Sequence, residues 1–390
     1  MYDFDKIIER KGTNAYKLDL REKYFGTEDL IPLWVADMDF AAPPEVQKAI
    51  QARSNHEVYG YTIRKGEFTE AIVNWCKFKH KWEINQDWIE YSPGVVPALA
   101  FSVLAFSNEG DGVIINTPVY PPFYSVIADN GRKVIKNSLI NNGGRYEIDY
   151  ELLEQQAALE TTKIYILCSP HNPVGRVWTE EELLKIHSIC KKHNVLVLAD
   201  EIHSDLALFG HKHIPFASIS EEAAMNCISF MAPSKTFNIA GFSTSYVVTA
   251  NDKFLKGYRT TQNRLQLHMG HLYSGVALTS AYNEGKGWLK ELTAYLESNV
   301  LFIEEFLKNK LPELSFFRPE ATYLIWIDFS EWSLNQKHLK EFLAYKAKVG
   351  LNDGLSFGAE GRGFMRLNVA SPRAVLKQAL EQIYESRQLL

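Results

Sequence analysis

The sequence predicts an α/β fold: a mostly parallel sheet with helices on both faces, followed by a smaller α+β unit. Three observations carry that expectation. From Tyr91 to Thr249 short apolar runs alternate with stretches of helical period, the pattern of successive βαβ units. The runs stay apolar on consecutive positions, as in Cys227-Ile228-Ser229-Phe230-Met231, which suits strands covered on both faces. After Pro312 the alternation stops, and separated strand and helix patterns take its place.

The chain has 390 residues, too long for one simple core; at roughly 150 residues per domain, two or three units are expected. Hydrophobic residues at 46% and charged residues at 23% are ordinary for a globular protein. A net charge of −5 offers no electrostatic case for nucleic acid. Cys76, Cys168, Cys190 and Cys227 match no zinc spacing and fall on apolar strand or helix patterns, so reduced core residues and no metal are expected. The opening MYDFDKIIERKGTNAYK is charged throughout, and no segment is long and apolar enough to span a bilayer. A soluble cytoplasmic protein, with neither membrane nor nucleic acid as partner, is the expectation.

Residues 1 to about 42 read as irregular around the short apolar run Ile31-Pro32-Leu33-Trp34-Val35. Pro43 and Pro44 suit a first helical turn, and PEVQKAIQARS continues it. His56 to Thr62 reads as an aromatic turn, and 66–80 as a helix with Phe68, Ile72, Trp75 and Cys76 on one face. A glycine-containing turn after Tyr91 leads into an apolar helix. Strand 112–116, helix 120–130, strand 132–137, a helix near 149–160 and strand 163–168 follow. Thr179 and Glu182 form a capping box for helix 179–194. Strand 195–199 ends at Asp200, and strands 227–231 and 245–249 come next. The stretch 272–310 is helical with an interruption at Glu284-Gly285-Lys286-Gly287. Strand 323–329, helix 335–348, strand 364–369 and a closing helix after Pro372 complete the chain. Gly358-Ala359-Glu360-Gly361-Arg362-Gly363 has the spacing GxxGxG and precedes a strand, so it is not a dinucleotide fingerprint.

Four strand ends carry chemistry: Thr117-Pro118-Val119-Tyr120, Ser169-Pro170-His171-Asn172-Pro173-Val174-Gly175, Asp200-Glu201-Ile202-His203 and Ser234-Lys235. Ligands bind outside the carboxyl ends of such strands. A lone Ser-Lys is usually a surface turn. At the end of an apolar strand, however, desolvation lowers the lysine's pKa and turns a hydrated cation into a nucleophile. A lysine, an acid, an amide and an aromatic ring converging on one edge suit a pyridine aldehyde cofactor. The lysine forms a Schiff base, and the acid keeps the ring nitrogen protonated.

The order of the motifs WVADMDF, YGYT, SPHNPVG, ADEIHSDL, SKTFNIAG and EGRGFMRLN resembles that of the fold-type I pyridoxal-phosphate enzymes, the aspartate aminotransferase superfamily. Within it the chain resembles the MalY/PatB-type C–S lyases, the cystathionine β-lyases, over nearly its whole length. The resemblance implies a seven-stranded sheet in a large domain over 46–285 and a small domain over 286–390. Residues 1–45 would contribute to the small domain. It also implies a homodimer with shared active sites, and α,β-elimination of L-cystathionine or a related cysteine S-conjugate to pyruvate, ammonia and a thiol. An aminotransferase built from the same parts is the rival, and a cofactor-binding regulator a more distant one.

Under the resemblance, Lys235 carries pyridoxal 5′-phosphate and moves the Cα proton, where a turn lysine is the plain alternative. Asp200 pairs with the pyridinium nitrogen, or caps a helix. Asn172 donates to the ring 3′-oxygen, or turns its loop. Tyr120 stacks on the ring, or packs in the core. His203 stands where the wider superfamily often has tyrosine and matches the lyase pattern, or is a packed histidine. Gly94, Val95 and Val96 at a helix start, Ser234, and Tyr61 from the neighbouring subunit hold the phosphate. Arg366 clamps the substrate carboxylate with a bidentate fork, or makes a surface ion pair; Ala36 and Asn172 share in substrate binding. Many aminotransferases of this fold carry a phosphate-contacting arginine eight residues after the lysine. Here Ser243 stands there, a departure that points to the lyase branch. Loops near Asp37-Met38 and Arg264 are expected to read the distal part of the substrate.

Overall fold

The computed structural model describes residues 2–64 and 66–390. Seven strands form the central sheet: β1 (Ile89–Ser92), β2 (Gly112–Thr117), β3 (Lys133–Ser138), β4 (Thr162–Cys168), β5 (Leu196–Asp200), β6 (Cys227–Met231) and β7 (Ser245–Val248). Their spatial order is β1-β7-β6-β5-β4-β2-β3. Strands β2 to β6 run parallel, and β7 runs antiparallel to both of its neighbours.

Successive strand residues face opposite sides of a sheet, and both sides here are covered. Val113, Ile115, Ile164, Ile166, Leu198 and Val247 share an apolar cluster with residues of helices Val95–Phe106 and Pro122–Ala128. Ile114, Tyr165, Leu167, Val197 and Tyr246 face the other way, with residues of helices Gly66–His80, Glu180–Lys192 and Leu272–Glu284. This double covering is why the strands are apolar on consecutive positions. The expected capping box is present, with Thr179 and Glu182 each bonding the other's backbone N–H. All four cysteines are buried and unpaired. Among the described residues no helix is long and apolar enough to cross a membrane.

The long helical region divides into Leu272–Glu284 and Lys286–Lys310 at Gly285, where a Cβ would collide with the Phe237 ring and the Ala281 carbonyl. Beyond it, strands Ser315–Phe316, Leu324–Asp328, Phe364–Asn368 and Asn352–Asp353 form a second, antiparallel sheet in that spatial order. The N-terminal segment joins this region: Ile31–Pro32 pairs in parallel with Val349–Gly350.

Several elements differ from the sequence expectation. The first 42 residues contain short helices at Tyr16–Asp19 and Arg21–Phe25. Strand β1 reads IEYS, too polar and short to announce itself. Helix Asp252–Arg264 buries only Leu255, Tyr258 and Gln262, so its pattern was masked by charge.

One irregular stretch, Trp34 to Phe40, runs as a strap along the carboxyl edge of the sheet. Asn238 accepts from the Met38 N–H at 3.0 Å and donates to the carbonyls of Met38 and Phe40 at 3.0 and 2.8 Å. Asn368 donates to the carbonyls of Val35 and Asp37 at 2.7 and 2.6 Å. Asp37 and Asp39 pair with Arg10, and Asp39 with the fully buried Lys17 at 2.7 Å. The strap is therefore held by polar bonds from the loop after β6, from the second sheet and from the N-terminal segment.

Candidate active site

The parallel strands β2, β4, β5 and β6 end on one edge, where a cavity of about 230 Å³ opens. Ala36, Gly94, Val95, Val96, Tyr120, Asn172, Asp200, His203, Ser234 and Lys235 all stand in its wall. Arg366 sits directly behind the wall, and Tyr61 lies away from it.

Lys235 occupies a short helical turn, Pro233–Thr236, just after β6. Its Nζ donates to the Ala36 carbonyl at 2.7 Å, and the Tyr323 hydroxyl donates to the same oxygen at 3.0 Å. The side chain is half-buried, and it borders the cavity. Burial draws the amine down to about 8, with Asp37 opposing the shift and Arg366 adding to it. A sizeable neutral fraction at physiological pH follows, as a nucleophile requires.

Asp200 ends β5 with 5% of its surface exposed. Its Oδ1 accepts from the Ile202 N–H at 3.1 Å, and among the described residues no basic side chain lies within ion-pair distance. Burial pushes the carboxyl up to about 7, against the pull of that N–H. The helical turn that follows, Ser204–Leu206, has His203 at its cap position and no side-chain cap, so helix capping does not account for Asp200. A cationic ring nitrogen placed beside it would restore the carboxylate.

Arg366, on strand Phe364–Asn368, is 4% exposed. Nη1 donates to Asn172 Oδ1 at 3.0 Å, and Nη2 to the Trp34 carbonyl at 3.0 Å and Asn352 Oδ1 at 3.3 Å. Nε has no partner, and the guanidinium lies 4.9 Å from the Phe357 ring centre. Burial lowers its pKa to about 10, which leaves it charged. Among the described residues no carboxylate pairs with it, so the surface ion-pair alternative is excluded. A buried cation with only neutral acceptors and a spare N–H is suited to an incoming carboxylate. Because Asn172 turns its oxygen to Arg366, its amide nitrogen is the end left to donate.

His203 is 3% exposed, with Nδ1 unpartnered and its ring edge-on to Tyr323 at 6.0 Å. Burial, helped by the charges of Lys235 and Arg366, pulls its pKa down to about 3 and keeps the ring neutral. At the other end of the cavity, helix Val95–Phe106 begins after Gly94. The Ala98 N–H already bonds the Gly94 carbonyl at 3.0 Å, and Pro97 has no N–H. Val95 and Val96 therefore present the free donors of that helix start.

Two wall residues escaped the sequence reading. Thr244 and Ser245 line the cavity, and the Thr244 hydroxyl is buried without a partner. They stand at the start of β7. Because β7 is antiparallel, its amino end lies where its parallel neighbours have their carboxyl ends. The available signal was the hydroxyl run Ser243-Thr244-Ser245 on a strand whose direction the sequence did not reveal. Ser243 also lines the wall, in a left-handed conformation at φ 44°, and its carbonyl accepts from the Tyr91 hydroxyl. Asp37 is tied to Arg10 and Lys17. Arg264 is exposed at the end of its helix, and Tyr61 is 97% exposed.

The unpartnered polar atoms Thr244 Oγ1, His203 Nδ1 and Arg366 Nε, the acid at Asp200 and the amine at Lys235 fit a phosphate-bearing pyridine aldehyde together with an amino acid. Comparison with known proteins agrees. A profile described as "Aminotransferase class I and II" matches residues 28–383. Cystathionine beta-lyase PatB of Bacillus subtilis is 42% identical over 98% of both chains. Protein MalY of Escherichia coli is 34% identical over 97% of both. The crystal structure of the PLP-bound C-S lyase from Staphylococcus hominis superposes with a TM-score of 0.93 at 36% identity, covering 99% of this chain and 98% of that one.

The Asp200 environment makes a prediction for the cofactor-free protein. Its carboxyl titrates at about 7 when folded and near 3.8 when unfolded, so its contribution to stability is complete below pH 4 and is lost as pH rises to 7. Asp200→Asn removes that loss. The melting temperature of the variant relative to wild type should therefore climb between pH 4 and pH 8; a gap independent of pH would contradict the assignment.

Proposed function

The chain belongs to the aminotransferase class I and II family, and within that family we propose that it is a C–S β-lyase cleaving L-cystathionine or a related cysteine S-conjugate. Overall, cystathionine and water become homocysteine, pyruvate and ammonia. The observation that supports it most is the buried, acid-free guanidinium of Arg366 next to a cavity holding Lys235 and Asp200. The choice of elimination over transamination rests on Ser243 in place of an arginine and on the likeness to the cystathionine β-lyase PatB.

Pyridoxal 5′-phosphate is the cofactor; bound, it supplies an electron sink for the pair left when the Cα proton departs. Lys235 would hold its reactive carbon, Asp200 its ring nitrogen, the Asn172 amide its ring oxygen, and Tyr120 a ring face. The N–H groups of Val95 and Val96, with Ser234 and Thr244, would take the phosphate. Arg366 grips the substrate carboxylate in a two-bonded fork, which fixes the direction of the Cα–H bond. Lys235 Nζ, neutral in good part near pH 8, accepts the Cα proton, and the Ala36 carbonyl gives the resulting ammonium an acceptor. The Cβ–S bond breaks as its electron pair leaves on sulfur. A thiol of this kind has a pKa near 8.5, so it departs readily and takes a proton from the Lys235 ammonium. Water then releases pyruvate and ammonia from the three-carbon remainder.

The remaining assignments complete this proposal. Residues 46–285 form the large domain, and 286–390 with 1–45 the small one, supported by the pairing of Ile31–Pro32 with Val349–Gly350. The enzyme works in the cytoplasm as a homodimer in which Tyr61 of each copy serves the other's phosphate. The exposure of Val58, Tyr59, Tyr61 and Ile63, all at 60% or more, supports that role.

With L-cystathionine and no added keto acid, pyruvate and homocysteine should appear in equal amounts. Turnover that required a keto acid and released no thiol would replace this reading by the aminotransferase. For the dimer, Tyr61→Phe should release the cofactor more readily on dialysis while its unfolding transition in the cofactor-free state stays put. An active monomer in light scattering, or unchanged cofactor retention, would remove Tyr61 from the phosphate site.

A further inference from the structure

Lys235 sits on a helical turn of four residues, Pro233–Thr236, and a turn that short does not hold its own shape. Its amine nevertheless has to meet the cofactor and later the Cα proton from a fixed base. Contacts from outside the turn must supply that base. This inference rests on the reading of Lys235 given above, and it holds whether elimination or transamination follows.

The residue after Lys235 carries the contact. Thr236 is fully buried, and its hydroxyl donates to Asp205 Oδ2 at 2.8 Å. The other oxygen of that carboxylate, Oδ1, accepts from Trp75 Nε1 at 3.0 Å and from His80 Nε2 at 3.0 Å. A carboxylate only accepts, so His80 carries its proton on Nε2. Trp75 and His80 stand on helix Gly66–His80, which packs on one face of the central sheet. Asp205 belongs to the turn Ser204–Leu206, shortly after β5. One carboxylate thus ties the loop after β5 and the loop after β6 to the same helix.

Asp205 has no plainer task. The cap position of its own turn is His203, which makes no side-chain cap. Asp205 is 2% exposed, and among the described residues no lysine or arginine pairs with it. Burial works against its charge, yet the hydrogen bonds from His80 and Thr236 hold its carboxyl below the usual range. The Phe237 ring also anchors the turn, edge-on to Trp75 at 5.5 Å, but apolar contact has no direction. The hydroxyl bond has one, and it lies one residue from the lysine. The cluster continues towards the ring acid. His80 meets the ring of His213 edge-on at 5.5 Å, and His213 Nε2 stands 3.4 Å from Oε1 of Glu201, the neighbour of Asp200.

We propose that Asp205 and Thr236 are positioning residues, whose mutual hydrogen bond fixes the turn of Lys235 and so the place from which its amine acts. Misplacing a reacting group by about 1 Å can cost about a hundredfold in rate.

The test compares Thr236→Val, which keeps the shape and removes the hydroxyl, with Thr236→Ser, which keeps the hydroxyl. In the cofactor-loaded enzyme, exchange of the L-alanine Cα proton in D2O is followed by NMR at saturating L-alanine. It should be about ten- to hundredfold slower in Thr236→Val. In the cofactor-free protein, covalent capture of added pyridoxal 5′-phosphate, trapped with borohydride, should slow as well. Thr236→Ser should restore both rates, which a loss of packing alone would not explain. If Thr236→Val does not fold, Thr236→Ala, which leaves room for a water against Asp205, is judged by the same criteria. Wild-type rates in a folded Thr236→Val, or equal losses in Thr236→Ser, would overturn the proposal. Exchange that survives Lys235→Ala would instead overturn the reading of Lys235, and this inference with it.

Discussion

Two backbone carbonyls on one strap hold the two cations of the site: Ala36 takes the Lys235 amine, and Trp34 takes the Arg366 guanidinium. Among the described residues neither cation has an acid in direct contact. Burying a charge costs several kcal/mol unless polar partners compensate, so the placement of this strap sets where both charges stay. Its own position is set by Asn238, three residues after Lys235, and by Asn368, two residues after Arg366. Each cation thus sits within three residues of an asparagine that clamps the strap, and the strap in turn clamps each cation. Asp37 and Asp39, tied to Arg10 and the buried Lys17, close the arrangement from the N-terminal side. Sequence stretches 200 residues apart become one polar unit.

The titratable groups around the cavity follow one logic. Burial moves the Asp200 carboxyl up, the Lys235 amine down and the His203 ring far down, so each is driven towards its neutral form. Such a cluster favours ligands that bring charge: a cationic ring nitrogen for Asp200, a carboxylate for Arg366, a phosphate for a helix start and a hydroxyl row. Divergent shifts on neighbouring acids and bases are a recurring mark of catalytic sites. Here the geometry supports the same conclusion, because the lysine and the acid border one cavity and the clamp stands behind its wall, bonded to Asn172.

Much of this was legible in the chain. The apolar strand 227–231 and the helix 66–80 stand where their patterns put them. Strand-end chemistry is also readable, because parallel strands covered on both faces leave only their carboxyl ends free for ligands. Strand direction is not, since no local signal distinguishes an antiparallel strand buried on both faces from a parallel one. That is why the antiparallel direction of β7, and with it the Thr244 hydroxyl just before the strand, was missed. The aspartates of WVADMDF illustrate another limit. An acid in a motif suggests ligand contact, yet its partners Arg10 and Lys17 lie about 20 to 30 residues upstream in a stretch without strong periodicity.

The central claim is that Arg366 is kept buried and without an acid partner in order to receive a substrate carboxylate. L-Alanine and ethylamine differ by that carboxylate, and neither has a leaving group on Cβ. Their dissociation constants for the cofactor-loaded enzyme, measured by calorimetry in wild type and Arg366→Met, test the claim directly. The account predicts that wild type binds L-alanine about a hundredfold more tightly or better, and that the substitution shrinks the gap to within a few-fold. A gap that survives the loss of Arg366 would contradict it.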